Sequence, residues 1–448
     1  MINVTELELL KRALAKLEAG YAHLPDFTPE FDITAATRVL ETVAERMQDN
    51  YPYYHPQYAG QMLKPPHPVA RIAYALSLWV NPNNHALDGG RASSAMEKEC
   101  IRELGQVFGW DEPLGHLTGG GTMANLEALW VSSRLSPGKR VIASEQAHYT
   151  HSRISDVLGI PFSPVAVGND GRMDVHAIEA LLKQGDVGTV VVTMGNTGLG
   201  AVDPLPAILE LREKYDFRVH ADAAYGGYFA LASRLGDGAQ DAFDALHAVD
   251  SIVIDPHKHG LQPYGCGCVL FRDPAVGQYY KHESPFTYFS SAELHLGEIS
   301  LECSRPGASA VALWATQQLL PLVKEGEFAA QLDACLLAAH DFHQRLPSTP
   351  DFFPLLEPEL DIVVYGMNAP DTKASSQRAR RLFEQAARNE LHLAMIELPV
   401  EMLGESAPGM KITSDTFTCL RSVFMKPQHR DWLDRILSIL EKSAREID

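Results

Sequence analysis

Lys258 closes the run Ser251-Ile-Val-Ile-Asp-Pro-His-Lys258. The apolar stretch Ser251 to Ile254 reads as a short buried strand. Pro256 ends it, because proline has no N–H to give a sheet ladder. His257 and Lys258 are thereby presented just past a strand end, where α/β sheets keep their chemistry. A lysine there has two readings. One is a solvated loop cation; the other is an amine that forms a Schiff base with a carbonyl cofactor.

A second run decides between them. Phe217-Arg-Val-His-Ala-Asp222-Ala-Ala224-Tyr-Gly-Gly leads a short strand into a carboxylate followed by small residues. Pyridoxal phosphate needs such an Asp beside its pyridine nitrogen, since a negative charge there keeps the nitrogen protonated and the ring electron-poor. Small residues such as Ala224 let a flat ring lie against the strand end. The chain between Asp222 and Lys258 has room for one crossover helix, readable near Asp241 to Val249. Together the two runs favour bound pyridoxal phosphate.

Two further motifs suit that cofactor. Gly119-Gly120-Gly121-Thr122 enters an amphipathic helix over Met123 to Arg134. Free N–H groups at a helix start bind phosphate, and glycines let the anion approach the backbone. His148 follows a strand over Val141 to Ser144. An isolated histidine in that place is more often structural; it is resemblance to a known family that implies stacking on the ring and a proton relay beside the reacting carbon.

With these motifs the sequence resembles the group II pyridoxal-phosphate-dependent amino-acid decarboxylases, which include glutamate, aromatic-amino-acid and tyrosine/aspartate decarboxylases. The resemblance runs from about Tyr54 to Pro427 and is carried by Leu117-Thr-Gly-Gly-Gly-Thr-Met-Ala-Asn125, Ser144-Glu-Gln-Ala-His148, His220-Ala-Asp-Ala-Ala-Tyr225 and Asp255-Pro-His-Lys258. It implies an α/β fold of the aspartate aminotransferase kind (fold type I), with a mostly parallel central sheet and a smaller C-terminal α+β domain. The implied reaction is release of carbon dioxide from an L-amino acid to leave a primary amine, in a homodimer with sites at the interface. By the same resemblance Lys258, Asp222, His148 and Tyr288 are the catalytic residues. Gly120, Gly121, Thr122, His148, Asp222, Ala224, His257 and Lys258 are the cofactor contacts. Tyr288, with Tyr279 and Tyr280 as competitors, is the tyrosine of a mobile loop that closes the site. Arg305 matches a family arginine near it. Met123 departs from the acidic residue usual in the family, and Asn196 from its frequent Thr. Another carbon–carbon lyase, an aminotransferase, an aldehyde synthase coupled to decarboxylation, or a cofactor-binding protein without catalysis are the alternatives.

Strands near 141, 190, 219, 252 and 267, alternating with helices, describe a mostly parallel sheet in α/β layers. Before them, Leu7, Leu10, Leu14 and Leu17, then Ala35 to Met47, carry helical periodicity. Periodicity fails from Gly277 to Arg305, and loops of that length are commonly functional. Helices over Gly307–Leu320 and Glu327–Leu346 lead to strands at Asp361–Tyr365 and Leu420–Met425, with helices over 372–391 and 428–446. We therefore expect an N-terminal helical segment and arm over 1–65, a large cofactor-binding domain over 66–325 and a small domain over 326–448. An acidic substrate calls for Lys64, Arg71 or Arg91; an aromatic one calls for the tyrosines of Tyr51-Pro-Tyr-Tyr-His-Pro-Gln-Tyr58.

A formal charge of −19, spread along the chain, disfavours nucleic acid as a partner. No apolar stretch reaches the ~20 residues of a membrane helix. The N-terminus lacks the basic start and apolar core of a signal peptide, so a cytoplasmic protein is expected. Six cysteines in 448 residues do not suggest a disulfide framework. Cys266 and Cys268 are separated by one residue, unlike a zinc pair. The pairs His148/His151 and His257/His259 lack a carboxylate or cysteine cluster at ligand spacing, so no metal is expected.

Overall fold

The computed structural model describes residues 4–85, 87–281 and 300–447. Val187-Gly-Thr-Val-Val-Val-Thr193 is buried at every position. A β-branched run with no polar alternation suits a strand covered on both faces. It forms β4 of a seven-stranded sheet whose other strands are β1 (Leu114–Thr118), β2 (Arg140–Ser144), β3 (Phe162–Val165), β5 (Arg218–Asp222), β6 (Ser251–Ile254) and β7 (Gly267–Phe271). Their spatial order is β1-β7-β6-β5-β4-β2-β3. β7 runs antiparallel to both neighbours, and the remaining pairs are parallel. Register aligns Thr193 with Asp222 and Asp222 with Val253, so β4, β5 and β6 end at one level. The site is built beyond that edge.

The helices that cover this sheet include α4 (Arg91–Val107), α5 (Gly121–Leu135) and α6 (Thr150–Leu158). A fully buried pair, His116 Nε2 to Glu127 Oε2 at 2.7 Å, ties α5 to β1. Buried polar groups of this kind persist only when hydrogen-bonded. Helix 307–319 packs on α4 and on α3 (Pro68–Ser77). The helix expected between Asp222 and Lys258 spans Asp237–Asp244 and tightens to a 3₁₀ turn over Ala245–Ala248.

A second, antiparallel sheet is ordered β10-β11-β9-β8, with β8 at Phe352–Pro354, β9 at Ile362–Met367, β10 at Ala394–Pro399 and β11 at Thr416–Val423. Phe342, Tyr365, Leu382 and Leu440 form its core with the helices over 327–345, 372–388 and 429–447. The main core runs from the first sheet into the second through Ile362, Leu398 and Phe417.

The arm packs on this second sheet. Ala59 N–H donates to the His392 carbonyl, and Tyr53 meets Tyr58 edge-on at 4.9 Å. Preceding it, α1 (Val4–Ala19) and α2 (Ile33–Met47) contain no buried residue. Phe27, Phe31 and Leu40 are 87%, 72% and 66% exposed. Among the described residues no helix is long and apolar enough to cross a membrane, no group of side chains suits a metal ion, and all six cysteines are unbonded.

Candidate active site

Asp255 follows the end of β6, and the turn after Pro256 carries Lys258 back beside it. Lys258 Nζ lies 3.2 Å from Asp255 Oδ2, and His257 Nε2 lies 3.5 Å from the same oxygen. The turn is pinned to β7 through the Cys266 carbonyl, which accepts from His257 N–H at 3.0 Å and meets its Nδ1 at 2.8 Å. A small residue at 267 keeps β7 close to the glycine loop. Lys258 therefore faces a cavity of about 510 Å³ that it shares with Asp222, His148, Ala224 and the glycine loop.

Asp222, the last residue of β5, lies within that cavity's wall. His151 Nε2–H donates to its Oδ2 at 2.8 Å, Asn125 Nδ2 at 3.4 Å, and Ala224 N–H reaches Oδ1 at 3.2 Å. Behind Asn125, its Oδ1 accepts from His220 Nε2, and His220 Nδ1 meets Ser251 Oγ, both at 2.8 Å. Burial disfavours the Asp222 charge. The hydrogen bond from His151, with Lys258 nearby, outweighs it and holds the carboxyl well below its usual range. Burial pushes His220 down to about 3, so that ring is neutral. The result is a fixed negative charge on the cavity wall.

At the other end the glycine loop makes a cradle. Gly120 has φ +151°, a conformation that favours glycine. A Cβ on Gly121 would come within 2.9 Å of Asp255 Oδ2. The first N–H groups of α5 have no intrahelical partner by construction. In the loop just ahead of them, Glu302 Oε2 accepts from Gly119 N–H at 2.8 Å. A carboxylate standing at this loop marks an anion site. Asp255 Oδ1 is a further buried oxygen with no hydrogen-bond partner among the described residues. An anion cradle, a carbonyl-reactive amine and a buried carboxylate on one cavity fit pyridoxal phosphate, whose phosphate, aldehyde and ring nitrogen require those three.

His148 lines the same cavity, its Nδ1 held 2.9 Å from Thr150 Oγ1. Burial lowers its pKa against the pull of Asp222, which leaves the ring neutral near pH 7. Asn196 does not face the cavity. Its amide donates to Gly171 O and accepts from Leu199 N–H, while Thr193 and Thr197 line the wall instead. Tyr288 lies outside the described residues. Tyr280 is buried against Trp130 at 5.0 Å with Tyr279 packed beside it, and neither lines the cavity. Arg305 is a buried clamp: its guanidinium holds Glu97 at 2.9 Å, Leu117 O at 2.8 Å and Asn84 O at 3.1 Å. Arg71 pairs with Glu6 at 2.8 Å, and neither Lys64 nor Arg91 lines the cofactor cavity.

His151 and Asn125 are the residues that sequence reading missed. Both sit inside motifs already singled out, or three residues past one, but only the fold shows that they converge on Asp222.

Comparison with known proteins points the same way. Residues 127–368 match the pyridoxal-dependent decarboxylase conserved domain. A probable L-tyrosine/L-aspartate decarboxylase of Methanothermobacter thermautotrophicus is 29% identical over 72% of this chain and 86% of its own. The L-aspartate decarboxylase of Thermococcus kodakarensis is 27% identical over 80% and 91%. The solved structure of Oryza sativa TDC with PLP and tryptamine superposes with a TM-score of 0.81 at 16% identity, covering 100% of this chain and 99% of that one.

Proposed function

The chain belongs to the pyridoxal-dependent decarboxylase family, and from that premise we propose how its residues divide the work of an L-amino-acid decarboxylase that uses pyridoxal phosphate. The observation that carries the reading is the single cavity shared by Lys258, Asp222 and the glycine loop. Bound there, the cofactor supplies an electron sink for the pair left when the carboxylate departs. Lys258 Nζ would be the amine that holds its aldehyde carbon. Gly120, Gly121 and Thr122 bind its phosphate at the start of α5. Asp222 keeps a proton on its ring nitrogen, and His151 and Asn125 keep Asp222 charged and oriented. His148, Ala224 and His257, which line the same cavity, would contact the ring.

The α-carbon must then gain a proton in place of carbon dioxide. Tyr288 is proposed as the donor, because a phenol is neutral at working pH and has a proton to give. The substrate is drawn from acidic and aromatic L-amino acids, the classes named for the relatives above. Purified cofactor-loaded protein assayed against a panel of L-amino acids should release carbon dioxide and amine in equal amounts from one of them. Keto acid in place of carbon dioxide would contradict the reading. In the same assay run in air, Tyr288→Phe should keep carbon dioxide release while amine falls and aldehyde rises, the unprotonated carbon being oxidised by dioxygen with release of ammonia and hydrogen peroxide; unchanged amine would remove Tyr288 from the role.

The functional unit is proposed to be a homodimer. The support is the unburied apolar surface of α1, α2 and the segment between them, which a second copy would cover. Sedimentation should give about twice the chain mass for the active species. Full activity in a monomer would rule this out.

A further inference from the structure

A second cavity, of about 350 Å³, opens where the arm meets the start of the C-terminal helix. Lys64, His67 and Lys426 line it, and no carboxylate does among the described residues. Lys426 is 3% exposed. Its Nζ donates to Tyr58 O at 2.7 Å and Leu63 O at 3.5 Å, and lies 5.2 Å from the centre of the Tyr58 ring. An ammonium has three donors, so one remains for a ligand.

The ionisable side chains that line this cavity are basic or phenolic, while the carboxylates of Glu327 and Glu6 lie near His67 and that of Asp361 near Lys64. Burial, and after it the Lys64 charge, brings the Lys426 amine down to about 7. Burial also lowers Lys64, against the pull of Cys335 and Asp361. Asp361 is already engaged, bonded to Tyr225 OH and 3.2 Å from His259 Nε2. The nearby rings of His55 and His429 are themselves lowered by burial first, then His55 by Arg435 ahead of Lys426 and His429 by Lys426, and neither ring is an anion. An amine taken out of water gives up its proton more readily unless an anion meets it, so a bound anion would favour the charged form of both lysines.

The backbone adds to this field. α3 begins at Pro68, and the 19-residue C-terminal helix begins at His429, each directly after residues that line the cavity. Both present the positive end of a helix. The walls between the cations are Pro65, Pro66, Pro427 and Leu261, which are rigid and apolar. A volume near 350 Å³ is at the lower end of what small-molecule pockets occupy, and more than a bare ion fills.

We propose that this cavity binds a small organic dianion, a dicarboxylate or a phosphate ester, with its charges on Lys64 and Lys426 and its carbon skeleton against the prolines. Because Lys426 also holds the carbonyls of Tyr58 and Leu63, the ligand would brace the arm against the C-terminal helix.

Calorimetric titration of the cofactor-loaded full-length protein tests this, with succinate and glycerol 3-phosphate as the two probes and acetate as a monoanion control at constant ionic strength. Saturable binding of one probe is expected, weakened ten-fold or more in Lys64→Gln and restored in Lys64→Arg. Both variants should melt cooperatively like the parent. The visible absorbance of the cofactor should not change on binding. The proposal is overturned if neither probe binds saturably, if Lys64→Gln binds as tightly as the parent, or if acetate binds as tightly as the dianions. It is also overturned if binding shifts the cofactor absorbance, which would place the anion in the cofactor cavity.

Discussion

Lys258→Ala protein is expected to form amine at least ~10³-fold more slowly than the parent, the order lost when a covalent and proton-transferring group is removed. The remaining contacts predict a particular form of the defect. The glycine cradle, Asp222 and His148 are untouched by the substitution, so cofactor should still enter the cavity but should wash out on dialysis. Folding should survive, because the Lys258 side chain is 22% exposed and its ion pair is with the neighbouring Asp255. Cofactor content after dialysis and the rate of amine formation measure the two halves separately. Tight retention together with near-parental turnover would refute the role given to Lys258.

Asp222→Asn is expected to slow amine formation by about 10²- to 10³-fold, the scale of deleting one preorganised electrostatic partner. The amide is nearly isosteric and can still accept from Ala224 N–H, but it carries no charge for the ring nitrogen or for His151. Covalent cofactor attachment should persist, which separates this variant from Lys258→Ala. The pH dependence has a definite sign. Asp222 is held below the usual carboxylate range when folded, so its stabilising contribution is fully present above the unfolded value of about 4 and is lost as pH falls from there. The difference in melting temperature between parent and Asp222→Asn should stay constant from pH 8 to 5 and narrow only below that. Narrowing between pH 8 and 6 would show that another group controls it.

Much of this was legible in the chain because the cofactor's three demands fall on strand ends and a helix start, each with a local signature. Val187–Thr193 and Ser251–Ile254 are continuous apolar runs, and Gly119–Thr122 is a glycine turn before a helix. β1 was not read as a strand, because Leu114-Gly-His-Leu-Thr carries a glycine and a histidine in mid-run. The glycine lies where a Cβ would be 2.5 Å from Val269 O on β7, and the histidine is consumed by Glu127. Both causes are tertiary and leave no periodicity to find. The same holds for Asn125 and His151, which meet at Asp222 from α5 and α6. His151 drew notice only as half of a histidine pair suggestive of a metal, although its partner in the fold is a carboxylate.

Lys64 and Arg71 illustrate the opposite error. Their charge and position near the arm suited an acidic substrate, yet Arg71 is held by Glu6 and Lys64 opens on a different cavity. Sequence distance from a motif says little about which cavity a long side chain lines. Arg305 likewise belongs to the clamp around Glu97, where it fixes the carbonyl of Leu117 just ahead of the glycine loop. Its effect on the site is positional.

The central claim, that Lys258 carries the cofactor, is tested most directly by reducing the cofactor-loaded protein with borohydride and mapping the modified peptide by mass spectrometry. The account predicts one pyridoxyl group per chain, on the peptide containing Asp255-Pro-His-Lys258. A pyridoxyl group on Lys64, Lys426 or any other lysine, with the Lys258 peptide unmodified, would contradict it.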